Sequence, residues 1–374
     1  MVVGSEHRQA MAKAMSDRAV VVPLASPDAA LEAIVALHGR TPLDAVLAVD
    51  DQGIVVAARA AERLGFRNNL PDAVSSTRNK AVMRERLATA NVAQPSFRIV
   101  PPGADATGAI TEIGFPCVIK PVSRSASQGV IRVDNVEQTR EAVTRIRAIL
   151  GECSEPLLVE QFVPGAEIAV EGLLVNGHLE VLAVFDKPDL MDGPYFEESI
   201  YVTPSRHEVS VLADVERMTA RATEALGLQE GPVHAEMRIG PSGAVSILEV
   251  AARSIGGLCS RSLSFGVGVS LEEIIIRHAL GMDLDGLNRE SNASGVMMLP
   301  IRTAGVLDRV SGQERARAVD GVVGVEISIP PGRAVIPLPE GDRYLGFIFA
   351  RGATPRDVEG ALRHAEFCLD VQLR

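Results

Sequence analysis

The chain has 374 residues, room for two or three packed units and a sizeable core. It has no Trp, three Tyr and ten Phe, so Ala, Val and Leu must build that core; the hydrophobic fraction of 47% is ordinary for a globular protein. The net charge of −11, with no dense Lys/Arg run, excludes a nucleic-acid binder of the basic-stripe kind, and no apolar run approaches the ~20 residues of a membrane span.

The scattered Cys117, Cys153, Cys259 and Cys368 form no CxxC pair, so reduced thiols are expected rather than a zinc site. Residues 1–18 mix charges without an apolar stretch and cleavage site, so a frayed or helical tail is expected and not a signal peptide. The expected compartment is the cytoplasm, with neither nucleic acid nor membrane as a partner.

In chain order, Ala19–Leu24 reads as a strand, Pro27–His38 as a helix, Asp44–Val49 as a strand and Ile54–Leu64 as a helix ended by Gly65. That alternation predicts a parallel α/β sheet. Asp50 and Asp51 would then fall beyond a strand's carboxyl end, where open α/β sheets bind ligands, although a solvated turn explains them as well. Thr77–Ala90 is expected to be a helix capped by Asn91, and Phe97–Pro102 a strand. Gly114–Lys120 is expected to be a buried strand, followed by a loop over Val122–Gly129, a strand over Val130–Val133 and a helix over Val136–Leu150.

Further on, Leu157–Glu160 reads as a strand, and Asn176-Gly177 marks a hairpin joining Ile168–Val175 to Glu180–Phe185. Lys187–Ser205 looks irregular, Val211–Leu226 helical, and Val233–Ile239 with Ala244–Val250 a second hairpin around Pro241-Ser242-Gly243. A helix is expected over Leu271–Leu280. Short strands over Val296–Ile301, Val323–Ile329 and Gly346–Ala350 then lead to a final helix, Pro355–Cys368.

Three segments suggest chemistry. On the second hairpin, Glu236 and Glu249 come out opposite one another when counted from the turn. Two facing carboxylates repel unless a cation or proton lies between them, and hard oxygen donors suit Mg²⁺. By themselves they read more readily as solvated strand charges than as metal ligands. Lys120 ends a buried strand before Ser123–Gly129, a small-residue loop able to wrap a polyphosphate, although a surface linker looks similar and no GxxxxGK[ST] motif is present. Leu157–Glu167 joins an apolar strand, Glu160, a Pro-Gly turn and Glu167 into a hinge-like edge.

The order Asn79-Lys80, GFPCVIKP with its loop, VEQFVPGAE, HAEMRI and ILEVAARSIGG resembles the ATP-grasp superfamily from about residue 20 onward. The likeness is nearest to bacterial L-amino-acid ligases and other carboxylate–amine ligases, and the tail around Tyr344–Ala350 adds to it. The resemblance implies an α/β ATP-grasp fold with an N-terminal parallel α/β domain over 1–76. A small lobe with a covering loop would occupy 77–165, and a large lobe with a C-terminal extension 166–374.

It also implies an ATP-dependent ligase that forms an amide through an acyl-phosphate and releases ADP and phosphate. Lys80 and Lys120 would contact phosphates, with Ser123, Ser125, Ser127, Gln128 and Gly129 in the closing loop. Glu160, Gln161, Val163 and Leu248 would meet adenine, and Glu167 the ribose. Glu236 and Glu249 would hold Mg²⁺, with Mn²⁺ as the alternative ion. Arg253, with Lys120, would be catalytic, steadying the transferring phosphoryl group.

Many family members carry Asn two residues after the second metal carboxylate; here Ala251 stands there, and Gly256-Gly257 sits one place late. The count of ions, one or two, is therefore open. The expected partners are a small carboxylic acid and an amine, and a homodimer is compatible with the reading. Arg253, Arg302 and the Gly256–Arg261 loop are candidates for an acid substrate, and Tyr195, Phe196 and Glu198 for a pocket wall. His207 and His234 read as structural. The alternatives are an ATP-grasp enzyme acting on formate or bicarbonate, and an ATP-binding protein without turnover.

Overall fold

The structure is a computed structural model that describes residues 3–5 and 19–374. β1 (Val3–Ser5) and β2 (Ala19–Val21) pair in parallel, so the expected tail contributes a strand; the rest of it, 6–18, lies outside the described residues. α1 (Pro27–Arg40) packs on α2 (Ile54–Leu64), which ends at Gly65 in the left-handed region, φ +72°. The strand expected over 44–49 does not form. The Val46 carbonyl is taken by the Asn68 side chain at 3.3 Å, and Val49 is 83% exposed, so the segment runs as an extended loop.

The helix expected over Thr77–Ala90 starts earlier and is broken. α3 (Pro71–Arg78) stops at Asn79, whose side-chain oxygen accepts from the Ala81 and Val82 N–H groups and starts α4 (Lys80–Thr89). Such a cap contributes about 1 kcal/mol, enough to favour two helices over one. It also aims Lys80 inward. Asn91 follows α4 in the left-handed region, φ +53°.

β3 (Phe97–Val100), α5 (Thr107–Ile113), β4 (Cys117–Pro121), β5 (Ile131–Val133), α6 (Val136–Leu150) and β6 (Leu157–Gln161) form a small lobe. Its antiparallel sheet, order β3-β6-β4-β5, is backed by α5 and α6 over Ile119, Val133, Ile146 and Leu157. The sequence reading missed α5.

The large lobe follows: β7 (Ala166–Val175), β8 (His178–Lys187), β9 (Ile200–Thr203), α7 (Val209–Leu226), β10 (Gly231–Ile239), β11 (Val245–Ala251), α8 (Leu271–Ala279) and β12 (Ala293–Leu299). The remainder is β13 (Gly305–Ser311), α9 (Gln313–Arg317), β14 (Val322–Ile327), β15 (Ala334–Val335), β16 (Gly346–Gly352), α10 (Pro355–Phe367) and β17 (Asp370–Leu373). Eight strands make one antiparallel sheet in the order β11-β10-β7-β8-β9-β12-β16-β14, and β15-β13-β17 form a small one. β9 lies inside the stretch expected to be irregular; it pairs with β12 over four residues.

Strand periodicity decides what faces the site. On β7 and β10, Ile168, Val170, Val233, Ala235 and Met237 are buried in one core with Met83 and Leu87 of α4 and Ala222 and Leu226 of α7. The alternate positions, Glu167, Glu171, His234, Glu236 and Arg238, therefore turn to the opposite face. The β10–β11 ladder pairs Glu236 with Glu249 but Met237 with Ile247, leaving Leu248 as a bulge residue. A bulge bends the strand and re-aims side chains, so Leu248 and Glu249 both face the cleft although they are neighbours.

Candidate active site

A cleft of about 340 Å³ lies where the small lobe faces the large sheet. Its lining includes Lys80, Lys120, Ser125, Ser127, Glu160, Gln161, Val163, Glu167, Glu236, Leu248, Glu249 and Arg253. Residues spread over more than 170 positions thus converge on one cleft. Ser123, Gln128 and Gly129 fall outside the lining. Gln128 Nε2 donates to the Glu340 carbonyl at 2.8 Å and Gly129 N–H to the Pro339 carbonyl at 2.9 Å, while the Ser123 N–H points to Glu155 Oε1 at 3.4 Å. These three anchor the loop rather than facing the cavity.

The first charge cluster is on the small-lobe side. Arg84, fully buried, donates from Nε to Glu160 Oε1 at 2.5 Å, from Nη2 to the Leu248 carbonyl at 2.6 Å and from Nη1 to the Ile247 carbonyl at 3.3 Å. Lys120 Nζ sits 2.7 Å from Glu160 Oε2. Burial alone would raise the Glu160 pKa, but the Arg84 and Lys120 charges overcome it and hold the carboxyl down at about 2. Burial lowers the Lys120 pKa, with Glu160 opposing. Glu160 is therefore the counter-ion of Lys120 and Arg84, and its carboxylate is not free for an adenine. Lys80 Nζ donates to the Arg124 carbonyl at 2.7 Å and to Glu249 Oε1 at 3.1 Å. It links the small-residue loop to the second hairpin.

A second cluster centres on Lys187, whose ammonium lies 2.8 Å from Glu167, 3.1 Å from Glu198 and 3.4 Å from Glu236. Burial alone would lower its pKa, but the three carboxylates raise it well above the ordinary value. Arg238 Nε holds the other Glu167 oxygen at 2.9 Å. Glu198, which lines the cleft with Phe196 as expected, accepts from the Tyr201 and Tyr344 hydroxyls at 2.8 Å each. Burial raises its pKa, but Lys187 and the hydroxyls bring it to about 2.

His234, read as structural, faces the cleft with Nε2 3.2 Å from Glu236 Oε1. Beneath it Glu171 is fully buried, accepts from the Ile255 N–H at 2.8 Å, and is pushed well up in pKa by burial. Arg302 pairs with Glu366 at 2.8 Å on the exposed surface and Tyr195 bonds to Arg145; neither lines the cleft.

The sequence reading missed Arg84, Lys187, Arg238 and the partner of Asp51. All four are ion-pair relations between distant segments, which spacing along the chain does not encode. The buried-strand end at Lys187 was the one available signal.

Among the described residues no three His, Cys, Asp or Glu side chains converge into a closed metal cage. What the fold offers instead is Glu236 and Glu249 at paired strand positions, both partly exposed to the cavity. Two carboxylates with an open side fit a hard cation that takes its remaining ligands from phosphates and water.

This fold and site define an ATP-grasp protein. A model of the ATP-grasp domain matches residues 113–262 and a model of the ATP-grasp N-terminal domain matches 1–67, and the chain belongs to that superfamily. ATP is the nucleotide these enzymes use. Within the superfamily, the L-amino acid ligase C-terminal domain 2 matches residues 297–374. The solved L-amino acid ligase from Bacillus licheniformis superposes with a TM-score of 0.86 at 25% identity, covering 96% of this chain and 89% of that one.

Alanine–anticapsin ligase of Bacillus subtilis is 25% identical over 66% of this chain, and the match spans 56% of that protein's length. D-alanine–D-alanine ligase of Cupriavidus pinatubonensis (strain JMP 134 / LMG 1197) is 22% identical over 67% of this chain and 75% of its own length. Among the described residues no helix is long and apolar enough to cross a membrane.

Proposed function

We propose that the protein is an ATP-dependent carboxylate–amine ligase acting on amino acids or small peptides. The observation that carries this is the gathering of Lys80, Lys120 and Arg253 around the Glu236/Glu249 pair in a single cleft, with Lys187 buried behind Glu236. Such a set suits a reaction that brings polyphosphate and carboxylate charges together, where catalysis is mainly positioning and electrostatic stabilisation. The amino-acid class is supported by the likeness to L-amino acid ligase over nearly the whole chain and by the matching C-terminal domain.

In this reading Lys80 and Lys120 bind phosphate oxygens, and the loop carrying Ser125 and Ser127 shields them from water. Gln161, Val163 and Leu248 border the adenine and Glu167 the ribose. Glu236 and Glu249 would hold Mg²⁺, which supplies charge neutralisation on the phosphates when bound. With Ala251 in place of a further donor, these two carboxylates are the protein's share of one or two ions.

The acid's oxygen attacks the γ-phosphorus and ADP leaves; Arg253 faces the charge that develops. The amine then attacks the acyl carbon of the acyl-phosphate, loses a proton, and phosphate departs.

The test is ADP release from the purified protein with ATP, Mg²⁺ and pools of amino acids, with products identified by mass spectrometry. The proposal requires release that depends on an acid and an amine together, with an amide product. Release driven by bicarbonate or formate alone would replace it with the carboxylase-like reading, and no release with any pool would sink it.

A further inference from the structure

The adjacent Asp50 and Asp51 stand out in the sequence, and the reaction as described uses neither. The structure separates their roles. Asp50 Oδ1 accepts from the N–H groups of Gln52 and Gly53, both at 3.0 Å, closing a tight turn at the start of α2. That turn delivers Asp51 into the cleft. There it meets Arg253 in a two-pronged bond, Nε to Oδ1 at 2.7 Å and Nη2 to Oδ2 at 3.1 Å. The side chains are only 14% and 15% exposed, so water competes little for the pair.

Arg253 Nη1 also donates to the Ser254 carbonyl at 2.9 Å. A guanidinium has five N–H groups in a rigid plane. With three committed, one remains on each terminal nitrogen, and the plane cannot turn without breaking the Asp51 contacts. Arg78 Nη1 lies 3.3 Å from Asp51 Oδ1 and its Nη2 approaches the Ser123 carbonyl at 3.4 Å, which joins this corner to the small-residue loop.

We infer that Asp51 is a positioning residue for the ligase reaction: it grips the Arg253 guanidinium side-on and fixes the two N–H donors left for the reacting oxygens. The inference rests on the ligase reading above. A rival role, capture of a substrate ammonium by Asp51, fits poorly. The charges acting on Asp51 include Arg253, Arg78 and Lys80, which would repel a further cation. The Arg253 hydrogen bond and these charges overcome the effect of burial and hold the Asp51 carboxyl below its usual range, so it stays a carboxylate for that pairing.

The experiment compares wild type, Asp51→Asn, Asp51→Glu, Arg253→Lys and the Arg253→Lys/Asp51→Asn double variant. The readouts are amine- and acid-dependent ADP release and calorimetric ADP affinity. A guanidinium displaced by about an ångström costs on the order of 100-fold in rate. Asp51→Asn should therefore lose about 100-fold in kcat, with KM for acid and amine and ADP affinity held within about threefold. Asp51→Glu, which keeps a two-oxygen acceptor, should recover part of the loss.

In the Arg253→Lys background the ammonium cannot take the two-pronged bond, so adding Asp51→Asn should cost less than about threefold. A raised amine KM with kcat preserved, or the full penalty in the Arg253→Lys background, overturns the inference. A working wild type with an undiminished Asp51→Asn variant overturns it alone. A wild type that releases no ADP with any pair takes the ligase reading down with it.

Discussion

Replacing Glu160 by Gln keeps the volume and removes the charge that Arg84 and Lys120 share. In the folded protein Glu160 titrates at about 2 instead of 4.5, although burial pushes the other way. That difference corresponds to about 3 kcal/mol of stabilisation at neutral pH. The same figure follows from the opposite direction: taking one partner from a buried ion cluster costs about 3–5 kcal/mol, because the remaining charges are left uncompensated. Glu160→Gln should therefore lower the urea unfolding midpoint by an amount equal to about 3 kcal/mol, followed by circular dichroism.

The sign of the pH dependence is fixed. A carboxyl with a depressed folded pKa contributes its stability above 4.5 and loses it as pH falls through about 2. The gap between wild type and variant should be full at pH 7 and should close in acid. Lys120 loses its nearest anion while still buried, so its protonation weakens further, and ADP affinity should drop by about tenfold, more at higher pH. A variant as stable as wild type at pH 7, or a gap that widens in acid, refutes the account of Glu160 as the counter-ion.

Other outcomes follow from single contacts. Glu249→Gln should reduce ADP release at least about 100-fold and flatten its Mg²⁺ dependence, both read by titrating Mg²⁺ in the ligase assay. Gly165 has φ +127°, and a Cβ there would lie 2.1 Å from the Ile239 carbonyl oxygen. Gly165→Ala should cost about 1–3 kcal/mol by urea unfolding. Glu340→Ala breaks a half-exposed pair with Arg145 that ties α6 to the segment before β16. Stability should change by only about 0.5 kcal/mol, but a fluorescent ADP analogue should dissociate about twofold faster in stopped flow.

What the sequence made legible was governed by local rules. Gly65 and Gly227 end helices in the left-handed conformation, as their places after apolar-periodic runs predict. The Asn176-Gly177 turn joins two long antiparallel strands, as expected. Counting from the Pro241–Gly243 turn brought Glu249 within one residue of the place opposite Glu236, because a hairpin's register is local; the bulge at Leu248, which the count does not announce, supplies the last step.

The failures have physical causes too. Residues 44–49 carry a strand's composition but, among the described residues, pair with no strand. Asn79 looked like an interior helix residue, yet its short amide competes with the backbone and caps α4 instead. Ile200–Thr203 were hidden among prolines and glycines and became a strand only because β8 and β12 flank them. Arg84 drew no notice in the sequence; its burial depends on a carboxylate and two carbonyls that arrive from far along the chain.

The bulge at Leu248 sets a limit on how this region can change. In an unbulged ladder Leu248 and Glu249 would point to opposite sides, so one extra residue lets an apolar cleft-facing side chain and a carboxylate share a step of the strand. Deleting Leu248 would remove the bulge and leave Glu249 opposite Glu236 in a regular ladder, so the carboxylate would stay on the cleft face while the apolar side chain beside it is lost. Along this strand, then, loss of one residue is compatible with the facing of Glu236 and Glu249 but not with Leu248 standing beside them, so the limit falls on the apolar wall and not on the carboxylate pair.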